Sequence, residues 1–211
     1  MIVFIIGHIE LNNMRSYGYK PSNIIGTELN AANYIRNVEI PNKYEISSLG
    51  PISDQGTKPI CVSVCLNTIL RWKLKFRNID SKLNDSIFYD LDEDSNKDGM
   101  QPKKGFQILA NGTGILPSGY TIYAMVKSVE VAKRAIIQNG PLLVALKVQG
   151  DTNIFWKGGQ NLGGHAVIFS GFNQNGFILR NSWGASYGYG GYFDFPYDDF
   201  YLIKEAWTLI S

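Results

Sequence analysis

The chain of 211 residues is short of several things that would decide its class at once. It has two cysteines, Cys61 and Cys65, too few for a disulfide framework. It has two histidines, His8 and His165, with no HExxH and no Cys/His cluster, so no metal ion and no cofactor is expected. Its net charge is only +2, and no Lys/Arg block forms a basic stripe, which argues against a nucleic-acid partner. The apolar run Met1 to Ile6 is too short to span a bilayer, so no membrane partner is expected. That run also lacks a positive leading region and is followed by Gly7-His8-Ile9-Glu10, so it predicts a short strand rather than a signal peptide. The expected location is the cytoplasm, or a viral or cellular particle that carries or releases the protein. Internal repeats and low-complexity segments are lacking too.

What remains is an ordinary globular composition: 45% hydrophobic, 13% aromatic and 18% charged. A chain of this length buries roughly two-thirds of its unfolded surface, enough for one domain or two packed lobes. Up to about residue 45 the turn signals Gly18, Pro21, Gly26 and Pro41 punctuate a segment with no periodic run, read as an extended arm packed on the body. From Cys61 the pattern changes. Cys61, Cys65, Ile69, Trp72 and Phe76 recur at helical steps behind Pro59. Further helices are expected around Lys82 to Tyr89, over Pro102 to Ala110, and from a Ser128 N-cap to an Asn139-Gly140 stop, the last with Val129, Ala132 and Ile136 on one face. The second half predicts strands at Leu142–Val148, Ala166–Phe172, Gly176–Arg180, Gly191–Phe195 and Ala206–Ile210. The fold class expected is α+β, a helical lobe and a β-rich lobe with a cleft between them.

A thiol attacks carbonyls as thiolate, so a nucleophilic cysteine needs a nearby imidazole and gains from a helix N-terminus. Cys61 opens the predicted helix, whereas Cys65 lies one turn deeper, where burial is expected. His165 follows Gly163-Gly164 and opens an apolar strand, while His8 lies in the arm. Taken singly, each of these residues is as well explained as a core thiol or a strand-edge imidazole. The ordered blocks around them are more specific: Asp54-Gln55-Gly56-Thr57-Lys58-Pro59-Ile60-Cys61, then His165-Ala166-Val167, then Asn181-Ser182-Trp183-Gly184, then Gly188-Tyr189-Gly190-Gly191-Tyr192.

Together these blocks resemble the papain-like cysteine peptidases over about residues 40–211. Ile40-Pro41 to Ile52 is similar to the family's mature N-terminus, and Asp98-Gly99-Met100 to Gly114-Ile115 to the loop and helix lining its cleft. The resemblance implies a two-lobe fold, with a helical N-terminal lobe, an antiparallel β-barrel-like C-terminal lobe and the active site in the cleft between. It implies Cys61 as nucleophile, His165 as base, Asn181 as the residue orienting the imidazole, and Gln55 as oxyanion donor. It assigns substrate binding to Gly99, Met100, Ala145, Gly164, Ala166 and Trp183, the indole also covering the His–Asn hydrogen bond. Because Met100, Ala145 and Ala166 are small or apolar, a bulky apolar P2 side chain is expected. The division implied is an arm over 1–39 and a peptidase domain over 40–211, split into lobes at about 53–118 and 119–211. A monomer acting on polypeptide substrate is expected.

The chain departs from the family pattern at Pro59-Ile60 before the cysteine, at Val62 after it, and in a Cys-to-His separation of 165 − 61 = 104 residues. These departures keep two alternatives open: a catalytically impaired papain-like binding or structural protein, and a Cys/His cell-wall amidase. The 39 residues ahead of Ile40 are too few and too turn-rich for the family's helical prosegment, so either no restraint or a different one is expected. Asp94 to Gly99 matches half a calcium loop, but its twelfth position is Gly105 where a bidentate Glu is required. Asn111-Gly112-Thr113 is read as a turn, and Gly184 to Gly191 lacks the Lys-Ser/Thr of a phosphate loop.

Overall fold

The computed structural model describes residues 17–75, 83–93, 98–111, 122–150 and 154–210. The expected strand at Met1–Ile6, His8, Phe76, Lys82, most of the half calcium loop and Gly112 to Ile115 lie outside those residues.

Helix α1 runs from Cys61 to Lys75, and its ladder opens with the Val64 N–H on the Ile60 carbonyl at 2.9 Å. Every residue from Cys61 to Leu70 is buried. The single apolar face read from the sequence therefore understates this helix, which is sunk in the core on all sides. Its buried polar residues are spent on neighbouring groups. Ser63 Oγ accepts the N–H groups of Phe88 and Tyr89 at 3.0 and 3.3 Å, and Asn67 Nδ2 donates to Asp85 Oδ1 at 2.8 Å.

The Ser63 contact positions α2, a single turn over Ile87–Asp90. That is shorter than the helical stretch expected from Lys82, because Asn84 Oδ1 accepts the Ser86 N–H and holds a turn there. Helix α3 covers Pro102–Ala110 with its proline in the first turn, where a missing N–H costs nothing. Helix α4 covers Val129–Asn139, capped by Ser128 Oγ on the Val131 N–H at 3.3 Å, and it stops at Gly140, whose φ of 93° suits glycine.

The strands are β1 (Tyr44–Glu45), β2 (Tyr123–Met125), β3 (Leu142–Gln149), β4 (Asn161–Phe172), β5 (Gly176–Arg180), β6 (Tyr192–Pro196) and β7 (Glu205–Leu209). They form one antiparallel sheet in the order β2-β7-β3-β4-β5-β6, with β1 paired to β4. The two central strands alternate between two cores. Leu143, Ala145, Ala166 and Ile168 pack with α1, α3 and Trp207 on one side. Leu142, Val144, Leu146, Val167 and Phe169 pack on the other with α4 and the rings of Phe172, Phe177 and Phe195. The helices α1–α3 and the sheet thus meet along β3 and β4, and the residues of interest lie at that junction. The architecture is the expected α+β one. Among the described residues no helix is long and apolar enough to cross a membrane.

Candidate active site

Cys61 is the first residue of α1, at the positive end of a helix of 15 residues. Its sulfur accepts the N–H of Ala166, the residue after His165, at 3.4 Å. This contact brings β4 against the start of α1 and joins positions 105 apart in the chain.

His165 is fully buried. Its Nε2 lies 2.8 Å from Asn181 Oδ1, and the Ser182 N–H donates to the same oxygen at 2.8 Å. An amide carbonyl oxygen cannot donate, so Nε2 carries a proton and Nδ1 is the ring nitrogen turned away from Asn181. Trp183 stacks on the imidazole with centroids 4.4 Å apart and 24° between planes, and Phe155 packs on both rings. Trp183 is 2% exposed, so the His165–Asn181 bond is screened from water.

Gln55 sits in a tight turn. Asp54 Oδ1 accepts the Gly56 N–H at 3.0 Å, and the Lys58 N–H returns to the Gln55 carbonyl at 3.1 Å. Ser182 Oγ donates to Gln55 Oε1 at 2.6 Å, which identifies the amide nitrogen as the atom donating to the Lys58 carbonyl at 2.9 Å. Asp54 bridges Trp183 in antiparallel fashion, and the N–H groups of Gln55 and Gly184 reach the carbonyls of Ser182 and Ser53. The strip 53–55 and the strip 182–184 are therefore sewn together. Ser182 is the residue that sequence reasoning missed. It was present in the Asn-Ser-Trp-Gly block, but nothing in the spacing says that its hydroxyl holds Gln55.

The residues assigned to substrate binding come together, and the N-terminal arm lies across them. The Tyr19 N–H donates to the Gly164 carbonyl at 3.1 Å, the Met100 N–H to the Gly18 carbonyl at 2.7 Å, and the Lys20 N–H to the Met100 carbonyl at 3.0 Å. Tyr19 pairs with Met100 in the parallel sense and packs in one cluster with Met100, Ala145 and Ala166. Gly99 and Gly164 flank the arm closely. A Cβ on Gly99 would sit 2.5 Å from the Gly18 carbonyl oxygen, and one on Gly164 would sit 2.3 Å from the Tyr19 ring. Gly18 itself passes over Pro59, where a Cβ would meet the carbonyl oxygen at 2.0 Å.

With the arm in place Cys61 is fully buried, and burial pushes its thiol up to about 11. The backbone N–H groups of Ala166, Gly18 and Val62 pull the other way without prevailing. A thiol titrating below its ordinary value, expected from the helix terminus and the imidazole, is therefore not what the closed site holds: desolvation outweighs both. Cys65 is buried too, and its thiol is pushed well above its ordinary value, first by desolvation and then by Cys61. No group of three or more His, Cys, Asp and Glu able to hold a metal ion occurs among the described residues.

The profile of the Papain family cysteine protease family matches residues 102–207, half of the chain. The chain belongs to this family. The matched segment holds His165, Asn181 and Trp183 and lies downstream of Cys61. An uncharacterized peptidase C1-like protein of Acanthamoeba polyphaga mimivirus is 34% identical over 100 residues, covering 37% of this chain and 32% of that protein. Macrodontain-1 of Ananas macrodontes is 31% identical over 104 residues, covering 45% of this chain and 49% of its own length. The match thus spans about a third and about half of these two curated relatives. Among solved structures, xylellain, a cysteine protease from Xylella fastidiosa, superposes with a TM-score of 0.74 at 17% identity, covering 94% of this chain and 97% of that one. That likeness shows the papain fold.

Proposed function

We propose that the protein is a cysteine peptidase that hydrolyses peptide bonds through a thioester acyl-enzyme, and that residues 17–20 of its own arm hold it closed. The observation that supports the reading is a chain of hydrogen bonds linking three separated stretches of chain: the Cys61 sulfur accepts the N–H of Ala166, next to His165, His165 bonds Asn181, and Ser182, next to Asn181, holds the Gln55 amide. Cys61 is the nucleophile. His165 takes the thiol proton at Nδ1 while Nε2–H stays on Asn181, so the ring enters the reaction in one tautomer and one orientation. The thiolate attacks the scissile carbonyl carbon. The oxyanion that forms lies near the Cys61 N–H and the second amide hydrogen of Gln55, whose first is on Lys58. Collapse expels the amine, which leaves with the proton from His165. Water, deprotonated by the same ring, then splits the thioester and restores the thiol.

What faces the sulfur from Gly18 is an N–H donor, and the Gly18 carbonyl is turned to the Met100 N–H, so the arm occupies the cleft in front of the thiol. The restraint is thus a short extended strap, in keeping with a segment too turn-rich for a helical prosegment. Beyond the strap, Lys103 ties the arm down through Glu28 at 2.6 Å and the Asn23 carbonyl at 3.1 Å.

A second reading, a papain-like shell that binds peptide without cutting it, draws on the sealed and neutral thiol. Titration with a peptidyl electrophile separates the two. One equivalent of probe should attach to Cys61 once the arm is displaced, and none should attach in Cys61→Ala. His165→Ala should abolish turnover as fully as Cys61→Ala, and the double variant should be no worse, because the two act as one unit. Turnover that survives in Cys61→Ala would end the peptidase reading.

A further inference from the structure

Asp199 is a buried carboxylate that the proposed chemistry does not use. It lies in the short 3-10 helix Tyr197–Leu202, between β6 and β7, and is 2% exposed. Its Oδ2 accepts Trp156 Nε1 at 3.0 Å, and its Oδ1 accepts the Lys157 ammonium at 2.7 Å. Trp156 and the preceding Phe155 are both buried, in a stretch between β3 and β4 that belongs to no helix or strand. Their rings pack on different neighbours. Trp156 lies against Phe193 and Phe195, with centroids 6.0 and 5.1 Å apart. Phe155 stands edge-on to His165 at 5.9 Å and 73°, and 4.9 Å from Trp183.

The backbone holds this stretch on one side only. The Gln149 N–H donates to the Phe155 carbonyl at 2.7 Å, which ties it to β3. On the other side come Gly158 and Gly159, with φ of 77° and 78°, a pair around which the chain turns freely. The bonds to Asp199 therefore decide where the aromatic pair stands. Of the two, the indole bond is the one sealed from water; the Lys157 side chain is 53% exposed, and such a pair contributes little. Without the carboxylate, a buried indole N–H loses its acceptor, and the ring must move to find another.

We propose that Asp199 is a positioning residue for His165: by pinning Trp156 it fixes Phe155, and the Phe155 edge stops the imidazole from sliding along Trp183. Asn181 grips one ring nitrogen and Trp183 covers a face, which still leaves the ring free to swing about that single hydrogen bond. An edge-on ring removes that freedom, and a close-packed interior passes a shift of one side chain to the next. The effect on turnover rests on the peptidase reading, whereas the effect on the ring does not.

The first test is therefore made without turnover, by nitrogen-15 NMR of full-length Cys61→Ala. The His165 Nε2–H should give one slowly exchanging signal. Adding Asp199→Ala should broaden it or speed its exchange by about tenfold or more. Trp156→Phe keeps the ring and removes only the N–H, so it should act in the same direction, and it carries the test if Asp199→Ala fails to fold. Asp199→Asn, which still offers an oxygen to Trp156, should restore the parent signal, and Lys157→Met should leave it unchanged. Ser128→Ala, which uncaps α4, should lower stability without touching the signal. The second test is kinetic, with Cys61 intact and the arm lifted by Gly18→Val. Asp199→Ala should lower kcat by about tenfold to a hundredfold, with KM within about twofold and kcat recovered in Asp199→Asn. An unmoved His165 signal in folded Asp199→Ala or Trp156→Phe overturns the proposal. So does Lys157→Met or Ser128→Ala reproducing the change, or an unchanged kcat where the parent turns over. A moved signal with no turnover in the parent would leave the positioning role standing and remove the peptidase reading instead.

Discussion

Gly18→Val separates a strap that holds the site shut from a segment that merely rests on it. The new Cβ would lie 2.0 Å from the Pro59 carbonyl oxygen and 2.2 Å from its carbon. Both sides of the clash are backbone, so neither yields by changing a rotamer, and the arm must lift. Lifting surrenders the hydrogen bonds between Met100 and Gly18, Tyr19 and Gly164, and Lys20 and Met100, together about 3 kcal/mol at about 1 kcal/mol each. The consequence is read at the sulfur. A thiol held at about 11 is ionised at pH 7 in on the order of one molecule in ten thousand. Released to an ordinary value of about 8.5, it is ionised in about three per hundred, and a neighbouring imidazolium lowers it further. Iodoacetamide labelling of Cys61 at pH 7 should therefore rise by about 300-fold or more in Gly18→Val, before counting easier access. The sign is fixed by the direction of the shift. Burial raises the closed-state value, so labelling of the parent protein should stay low until strongly alkaline pH, whereas the variant should label through neutral pH. Peptide mass mapping should find Cys65 unlabelled in both, since it is buried within α1, one turn in from Cys61. A Gly18→Val protein that labels at the parent rate and with the parent pH profile would refute the claim that the arm governs the thiol.

Other outcomes can be checked alongside. In arm-displaced enzyme, Gln55→Ala should lower kcat by about a hundredfold to a thousandfold, as for a lost oxyanion donor. Ser182→Ala should reproduce part of that loss, roughly tenfold, because the 2.6 Å bond that holds Gln55 Oε1 goes with it; identical kcat in Ser182→Ala would mean that the turn alone positions the amide. Arg180 is 5% exposed and donates to the Gly50 and Pro51 carbonyls and to the Tyr192 hydroxyl. Arg180→Met should destabilise the fold by about 2–4 kcal/mol, seen as a lower urea midpoint with an unchanged slope, and an unshifted midpoint would contradict that anchoring role.

How far the chain can be read without coordinates depends on whether the information is local. Helix α3 and α4 were legible because their signals are chemical and adjacent: Pro102 in a first turn, Ser128 as a cap, Gly140 as a stop. The blocks around Cys61, His165 and Asn181 were legible for the same reason. Strand β4 was seen only from Ala166, although it begins at Asn161, because Gly163-Gly164 looks like a break. Those glycines are in the strand, and the missing side chains leave room for Tyr17 and Tyr19 of the arm. Strand β2 was not seen at all; three residues carry no periodicity, and its partner β7 is the last strand along the chain. The course of the arm was equally silent, since its grip on Gly164 and Met100 is made by backbone groups that every sequence possesses. Glu205 falls just outside the strand expected at Ala206–Ile210, although β7 begins with it. Only the fold reveals that it lies beneath Tyr19.

The seam between residues 53–55 and 182–184 also bears on when the protein acquires its chemistry. A ribosome delivers the N-terminal end first. Tyr17 to Lys20 emerge before Cys61, and Cys61 emerges long before the imidazole at 165 and the amide at 181. Through that interval the nascent chain has Cys61 and Gln55 but neither His165 nor Ser182, whose bond to Gln55 spans 127 positions. The proposed site therefore stays incomplete through most of synthesis. When the strand carrying Gly164 and His165 finally forms, it completes the reactive cluster and offers the docking edge for Tyr19 in the same step. The strap precedes the site in the chain, so on the proposed reading the site and its cover arrive together.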